Sequence, residues 1–181
     1  VIRIVTLSPF DPGDIALLAK TLFTAFGLGT EYAGERPLPP EAEQDDGRYD
    51  AVKLVAEVNP VKTFADDKVL FLTDAELSMR KGPLGEPPCW CFAQYGGEKA
   101  VVSTSRFPER GVSEASIEAW RKRLARESIH AVGHLWDLHH CYDARCAMHP
   151  SWSPSLPASP EAELCSFDRD KSERKVRLAK T

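Results

Sequence analysis

Nowhere in its 181 residues does the chain carry an apolar run long enough to cross a bilayer, which argues against a helical membrane protein. Its first residues, VIRIVTL, lack the basic region and small-residue cleavage site of a signal peptide, so a cytoplasmic protein is expected. Positive charge is also short: the net charge is -4, and no global field would recruit nucleic acid or anionic membranes. The one basic block is the tail from Arg169 to Lys180, where six Lys/Arg face two acids; it reads as a solvated helix, or else as a binding arm. Cysteine is scarce and odd in number, five in all, with three of them clustered toward the C-terminus. In a reducing compartment such thiols read better as metal ligands than as disulfides.

A chain of this length supports one good core, and a single domain is expected over 1–181. Ile2 to Leu7 is apolar and β-branched and predicts a buried strand. Asp11-Pro12-Gly13 turns the chain, Asp14 is a candidate cap, and Ile15, Leu18, Leu22, Phe23 and Phe26 mark a helix that Gly27 and Gly29 end. A short strand at Thr30 to Ala33 precedes a Pro-rich, acidic loop from Arg36 to Gly47, expected to be mobile. Tyr49 to Val58 predicts a helix that stops at Asn59-Pro60, and Lys68 to Thr73 predicts a strand. Met79 to Pro88 reads as a loop. Strands alternating with helices predict an α/β fold with a twisted, mixed, mostly parallel sheet.

Cys89 to Tyr95 and Lys99 to Ser103 predict a hairpin about Gly96-Gly97, with Cys89 and Cys91 on one side of its first strand as packing residues. Ser113 caps a long helix in which Ile117, Trp120, Leu124, Ala131 and Leu135 form a buried face. His130 and His134 lie on another stripe. Four residues apart, they project from the same side of the helix and can grip one ion, with His140 far enough along for the chain to turn and add a third imidazole. Three neutral imidazoles suit zinc and leave one position open for water. His139 has the wrong step and is expected to be exposed; His149 is unassigned.

The stretch IHAVGHLWDLHHCYDARCAM, from Ile129 to Met148, resembles the metzincin signature H-E-x-x-H-x-x-G-x-x-H followed by a Met-turn. With Cys141, Cys146 and Cys165 it is similar to one branch, the archaemetzincins. The resemblance implies a metzincin-like zincin domain: residues 1–139 as a sheet-and-helix part carrying the active-site helix, and 140–181 as a short C-terminal part. It further implies a zinc-dependent peptidase with His130, His134 and His140 as ligands and Met148 in the Met-turn. The same family carries a four-cysteine structural zinc site. Here its C-x-x-C pair reads Cys165-Ser166-Phe167-Asp168, so Cys141, Cys146, Cys165 and Asp168 form the candidate set.

Two positions depart from the signature. The motif glycine is Asp137, a residue type that visits the left-handed region more readily than most, and the motif glutamate is Ala131. The glutamate is the general base of such a peptidase, so its absence predicts an inactive or strongly impaired enzyme. The alternative is a non-catalytic zinc protein that binds peptides in its cleft. The nearest replacement acids are Glu127, one turn earlier, and Asp137, whose ordinary roles are helix-surface contact and turn formation. A peptide partner is expected along the strand from Cys89 to Tyr95, with neither nucleic acid nor membrane as a partner and a monomer favoured.

Overall fold

The computed structural model describes residues 1–58, 67–79, 88–150 and 162–179. Strand β1 (Ile2–Thr6) leads to helix α1 (Pro12–Phe26) and returns as β2 (Thr30–Glu35), parallel to β1. Asp11 caps α1 by accepting from the amides of Gly13 and Asp14, and Gly27 ends the helix at φ 63°. The expected cap, Asp14, instead lies buried between Arg110 and Arg121, at 3.0 and 2.6 Å. A carboxylate inside the first turn still favours the helix N-terminus, and here it also gains two cations.

Residues 36–47 include a 3-10 turn at Pro40–Ala42, which buries Ala42 completely. Next come β3 (Tyr49–Asp50), α2 (Ala51–Glu57), β4 (Lys68–Thr73), β5 (Leu77–Ser78), β6 (Pro88–Cys89), β7 (Cys91–Ala93) and β8 (Lys99–Ser103). The expected helix stop at Asn59-Pro60 lies outside the described residues, as does nearly all of the expected loop from Met79 to Pro88. Helices α3 (Glu114–Leu135) and α4 (Ser166–Leu178) complete the chain.

The main sheet has the order β2-β1-β4-β8-β7, parallel throughout except for the antiparallel β7 edge. A small second sheet orders β3-β5-β6. Central strand β4 is buried at every residue, as a parallel strand covered on both faces must be. Its alternate residues feed two cores. Leu70 and Leu72 join Ile2, Ile4, Ala100 and Val102 beneath α1 and α3. Val69 and Phe71 join Val5, Val101, Leu54 and Val55 beneath α2.

The strand expected from Cys89 to Tyr95 is broken at Trp90, which separates β6 from β7. The break changes the alternation, so Cys89 enters the α2 core while Cys91 packs on the α3 core, rather than both on one side. Both thiols are pushed above their usual range by burial, Cys89 to about 11, which suits inert packing groups.

Helix α3 differs from a one-faced amphipathic helix. Its first half is half-buried or exposed, with Ile117 and Trp120 only partly covered, whereas every residue from Leu124 to Leu135 is buried. The sheet covers one side of that second half and the segment after His140 covers the other. The two helical histidines are therefore inside the protein.

Candidate metal centre

His130 and His134 come from the last two turns of α3, and His140 from the loop that follows. One ligand atom of each lies within 4.8 Å of the others, and the ring centroids are 4.5, 5.2 and 5.1 Å apart. His130 and His134 are buried while His140 is exposed, so the cluster opens to solvent on one side.

The helix ends where Asp137 adopts φ 59°, the left-handed conformation that the motif glycine would supply. The Asp137 carboxylate accepts from Lys175 Nζ of α4 at 2.9 Å, and the Lys175 ammonium holds its pKa below the usual range. Asp137 is thus a turn residue tied to the C-terminal helix.

The hydrogen bonds of the two buried rings fix their tautomers. His130 Nδ1 is 2.9 Å from Ala147 O, and His134 Nδ1 is 2.8 Å from Leu138 O. A carbonyl oxygen only accepts, so each Nδ1 carries the proton and each Nε2 of a neutral ring has a bare lone pair. These two Nε2 atoms are 2.9 Å apart. Burial first, opposed by those carbonyl bonds, lowers the pKa to about 3 for His130 and about 4 for His134. No proton is therefore available near neutral pH to bridge the two lone pairs. A cation fits between them, and the carbonyl partners are the outer support that metal-bound imidazoles use.

On the side away from His140 the core is tightly closed. Met148 is fully buried beneath the helix end, and a Cβ on Gly133 would collide with its Sδ. Ala131, at the motif acid position, is also fully buried. Of the two candidate replacement acids, Glu127 is not a surface residue: it is fully buried, with Arg123 Nε 2.9 Å from its carboxylate.

The second candidate set is also assembled. One ligand atom from each of Cys141, Cys146, Cys165 and Asp168 lies within 4.8 Å of the rest. Asp168 Oδ2 accepts from Cys146 Sγ at 3.2 Å and from Cys165 Sγ at 3.3 Å, and the Cys141 and Cys165 sulfurs are 3.9 Å apart. Backbone amides of Met148 and Cys165 donate to Cys146 Sγ. Burial and the Asp168 carboxylate raise the Cys146 pKa against those amides. Three sulfurs, a carboxylate and amide donors aimed at sulfur form a donor set that zinc accepts.

Two contributors escape sequence reasoning. Arg126 looks like a helix-surface residue yet is 4% exposed, and its guanidinium donates to Cys146 O at 2.8 Å, tying the Cys146 loop to α3. Tyr95, at the tip of the β7–β8 hairpin, lies with its ring 4.4 Å from that of His134 and 5.5 Å from that of His139. His139 is exposed as expected, and the half-buried His149 has Nδ1 3.2 Å from Pro150 O. The Gly96-Gly97 turn was the available signal for a hairpin; its landing place beside His134 had none.

No protein-family model matches the chain. It is similar to an archaemetzincin of Natronomonas pharaonis, 29% identical over 153 residues that cover 80% of this chain and 84% of the relative. Its structure is similar to that of archaemetzincin from Methanopyrus kandleri, with a TM-score of 0.81 at 23% identity, covering 97% of this chain and 94% of that one. It also matches archaemetzincin from Archaeoglobus fulgidus, crystallised with malonate, with a TM-score of 0.74 at 21% identity over 94% and 98% of the two chains. The mixed, mostly parallel sheet is that of an α/β domain with the fold of these archaemetzincin structures. In sequence the chain is similar to curated archaemetzincins over most of its length.

Proposed function

We propose that His130, His134 and His140 hold a zinc ion, and that the chain is an archaemetzincin-type peptidase whose hydrolytic step is impaired by Ala131. The observation that carries the zinc reading is the pair of bare Nε2 lone pairs, 2.9 Å apart with each Nδ1 committed to a carbonyl. A bound zinc in such a site supplies a water of lowered pKa and polarises a carbonyl. The chain's own residues orient the imidazoles: Ala147 O and Leu138 O fix the tautomers, and Met148 underlies the helix end in the position of a Met-turn. A peptidase also needs a carboxylate to take the water's proton and pass it to the leaving amine. Ala131 has no group for this, and Glu127 is engaged with Arg123.

A peptide would lie along β7, the antiparallel edge of the main sheet, by adding a strand. The β7–β8 hairpin runs from that edge to His134, which supports this placement. Cys141, Cys146, Cys165 and Asp168 would hold a second, structural zinc that ties the loop after His140 to α4 within residues 140–181, the short C-terminal part, while 1–139 form the sheet-and-helix part. All five cysteines stand as free thiols, which supports a reducing, cytoplasmic setting.

The alternative, a non-catalytic zinc protein that binds peptides, is favoured by the complete burial of Ala131 among apolar neighbours. Metal analysis tests the shared claim. Protein purified without added zinc should carry it, His134→Ala should lose the histidine-bound ion, and Asp168→Ala should weaken the other; a wild type without stoichiometric zinc overturns the reading. Peptide cleavage by Ala131→Glu separates the two functions.

A further inference from the structure

We infer that Tyr95 is a positioning residue for the metal centre: its ring, carried on the tip of the edge hairpin, holds the imidazole of His134 in its metal-binding orientation. This rests on the zinc reading above. His134 occupies the last turn of α3, where a helix end frays unless something secures it. Its Nδ1 bond to Leu138 O fixes the tautomer but leaves the ring one hinge about which to rock. Tyr95 restricts that motion, with ring centroids 4.4 Å apart and planes inclined at 39°, a tilted aromatic pair in close contact.

The hairpin tip is itself secured at three points. Gly96 N–H donates to His134 O at 2.9 Å. The buried Lys68, on central strand β4, donates from Nζ to Gly97 O at 2.7 Å, and the same ammonium lies 4.6 Å from the ring centre of Trp136, two residues beyond His134. Tyr95 also stacks with His139 at 30°. A rigid sheet strand thus holds the turn, the turn holds the backbone of His134, and Tyr95 holds its side chain. Tyr95 remains 52% exposed, and its aromatic contacts are with His134 and His139.

The Gly96 and Lys68 bonds use main-chain atoms of the hairpin, so truncating Tyr95 removes the ring while leaving the clamp. The test compares wild type, Tyr95→Ala and Tyr95→Phe by zinc competition against a chromophoric chelator, with the visible spectrum of the cobalt(II)-substituted protein and thermal melting of the metal-free protein alongside. An aromatic pair of this kind is worth about two- to tenfold in an equilibrium, so Tyr95→Ala should weaken the histidine-site zinc by roughly that factor and alter the cobalt spectrum. Tyr95→Phe should restore both, because the ring and not the hydroxyl makes the contact. Unchanged zinc affinity in Tyr95→Ala overturns the inference, as does an equal loss in Tyr95→Phe. An affinity loss matched by collapse of the metal-free fold also overturns it. If wild type binds no zinc, the zinc reading falls first and this inference with it; if wild type binds and Tyr95→Ala binds equally, only this inference falls.

Discussion

Gly133 and Met148 are in direct contact: a Cβ at 133 would fall on Met148 Sδ and lie 3.1 Å from its Cε. One residue precedes a helical histidine and the other follows the loop that carries His140. Their approach therefore sets how closely the chain folds back beneath the cluster.

Gly133→Ala pits two effects against each other. Alanine gains about 1 kcal/mol over glycine inside a helix. Overpacking a closed core costs about 1–3 kcal/mol, and Met148, fully buried, has little room to yield. A net loss of about 1 kcal/mol is expected, with weaker zinc binding because the loop shifts. Urea denaturation of the zinc-free protein measures the first; a Gly133→Ala protein more stable than wild type would show that the methionine moves freely.

Arg126→Met removes the guanidinium that donates to Cys146 O, and leaves an apolar side chain of similar length in its place. Cys146 O keeps the His149 amide at 3.0 Å, so the loss is that of one hydrogen bond from a charged donor, about 1.5–3 kcal/mol. The melting temperature should fall, and zinc held by Cys141, Cys146, Cys165 and Asp168 should exchange faster while zinc held by the histidines changes less. Equal effects on both sites would contradict a local role for Arg126.

These residues show what a sequence can and cannot reveal. The His130–His134 spacing and strand β4 were legible because each follows from local periodicity, and the Asp137 turn because the resembled signature has a glycine at that position. Strands β3, β5 and β6 were not, since two-residue strands carry no alternation. Asp11 and Asp14 offer the same capping chemistry three residues apart, and only the distant arginines tell them apart. Tyr95 and Arg126 act across separations that no spacing rule reaches.

Acid should destabilise the zinc-free protein. His130 and His134 titrate near 3 and 4 when folded, but near 6.5 when unfolded. Between those values the unfolded chain binds more protons, so stability rises with pH; it is complete above about 6.5 and declines as pH falls toward 4. Urea midpoints at pH 7.5 and 5 should therefore differ, the lower pH being weaker, and His130→Phe should reduce the difference. A midpoint indifferent to pH over this range would mean that the rings are not buried neutral.

The last expectation concerns the missing base. Ala131→Glu restores the acid of the H-E-x-x-H pattern without touching a candidate ligand, so the zinc content should not change. A positioned general base is worth about 10²–10⁴-fold in rate, and peptide cleavage should rise by a factor in that range. The substitution has a cost, since Ala131 is fully buried and a glutamate must find a path to the open side of the cluster where His140 is exposed. Some loss of melting temperature is therefore expected together with the gain in cleavage. A mixed peptide library digested by Ala131→Glu, and left intact by Ala131→Glu with His134→Ala, is the outcome expected of a peptidase that lacks only its base. Full zinc content, an intact fold and no cleavage in Ala131→Glu would instead assign the chain to peptide binding, because the metal and the carboxylate would then both be present without the reaction.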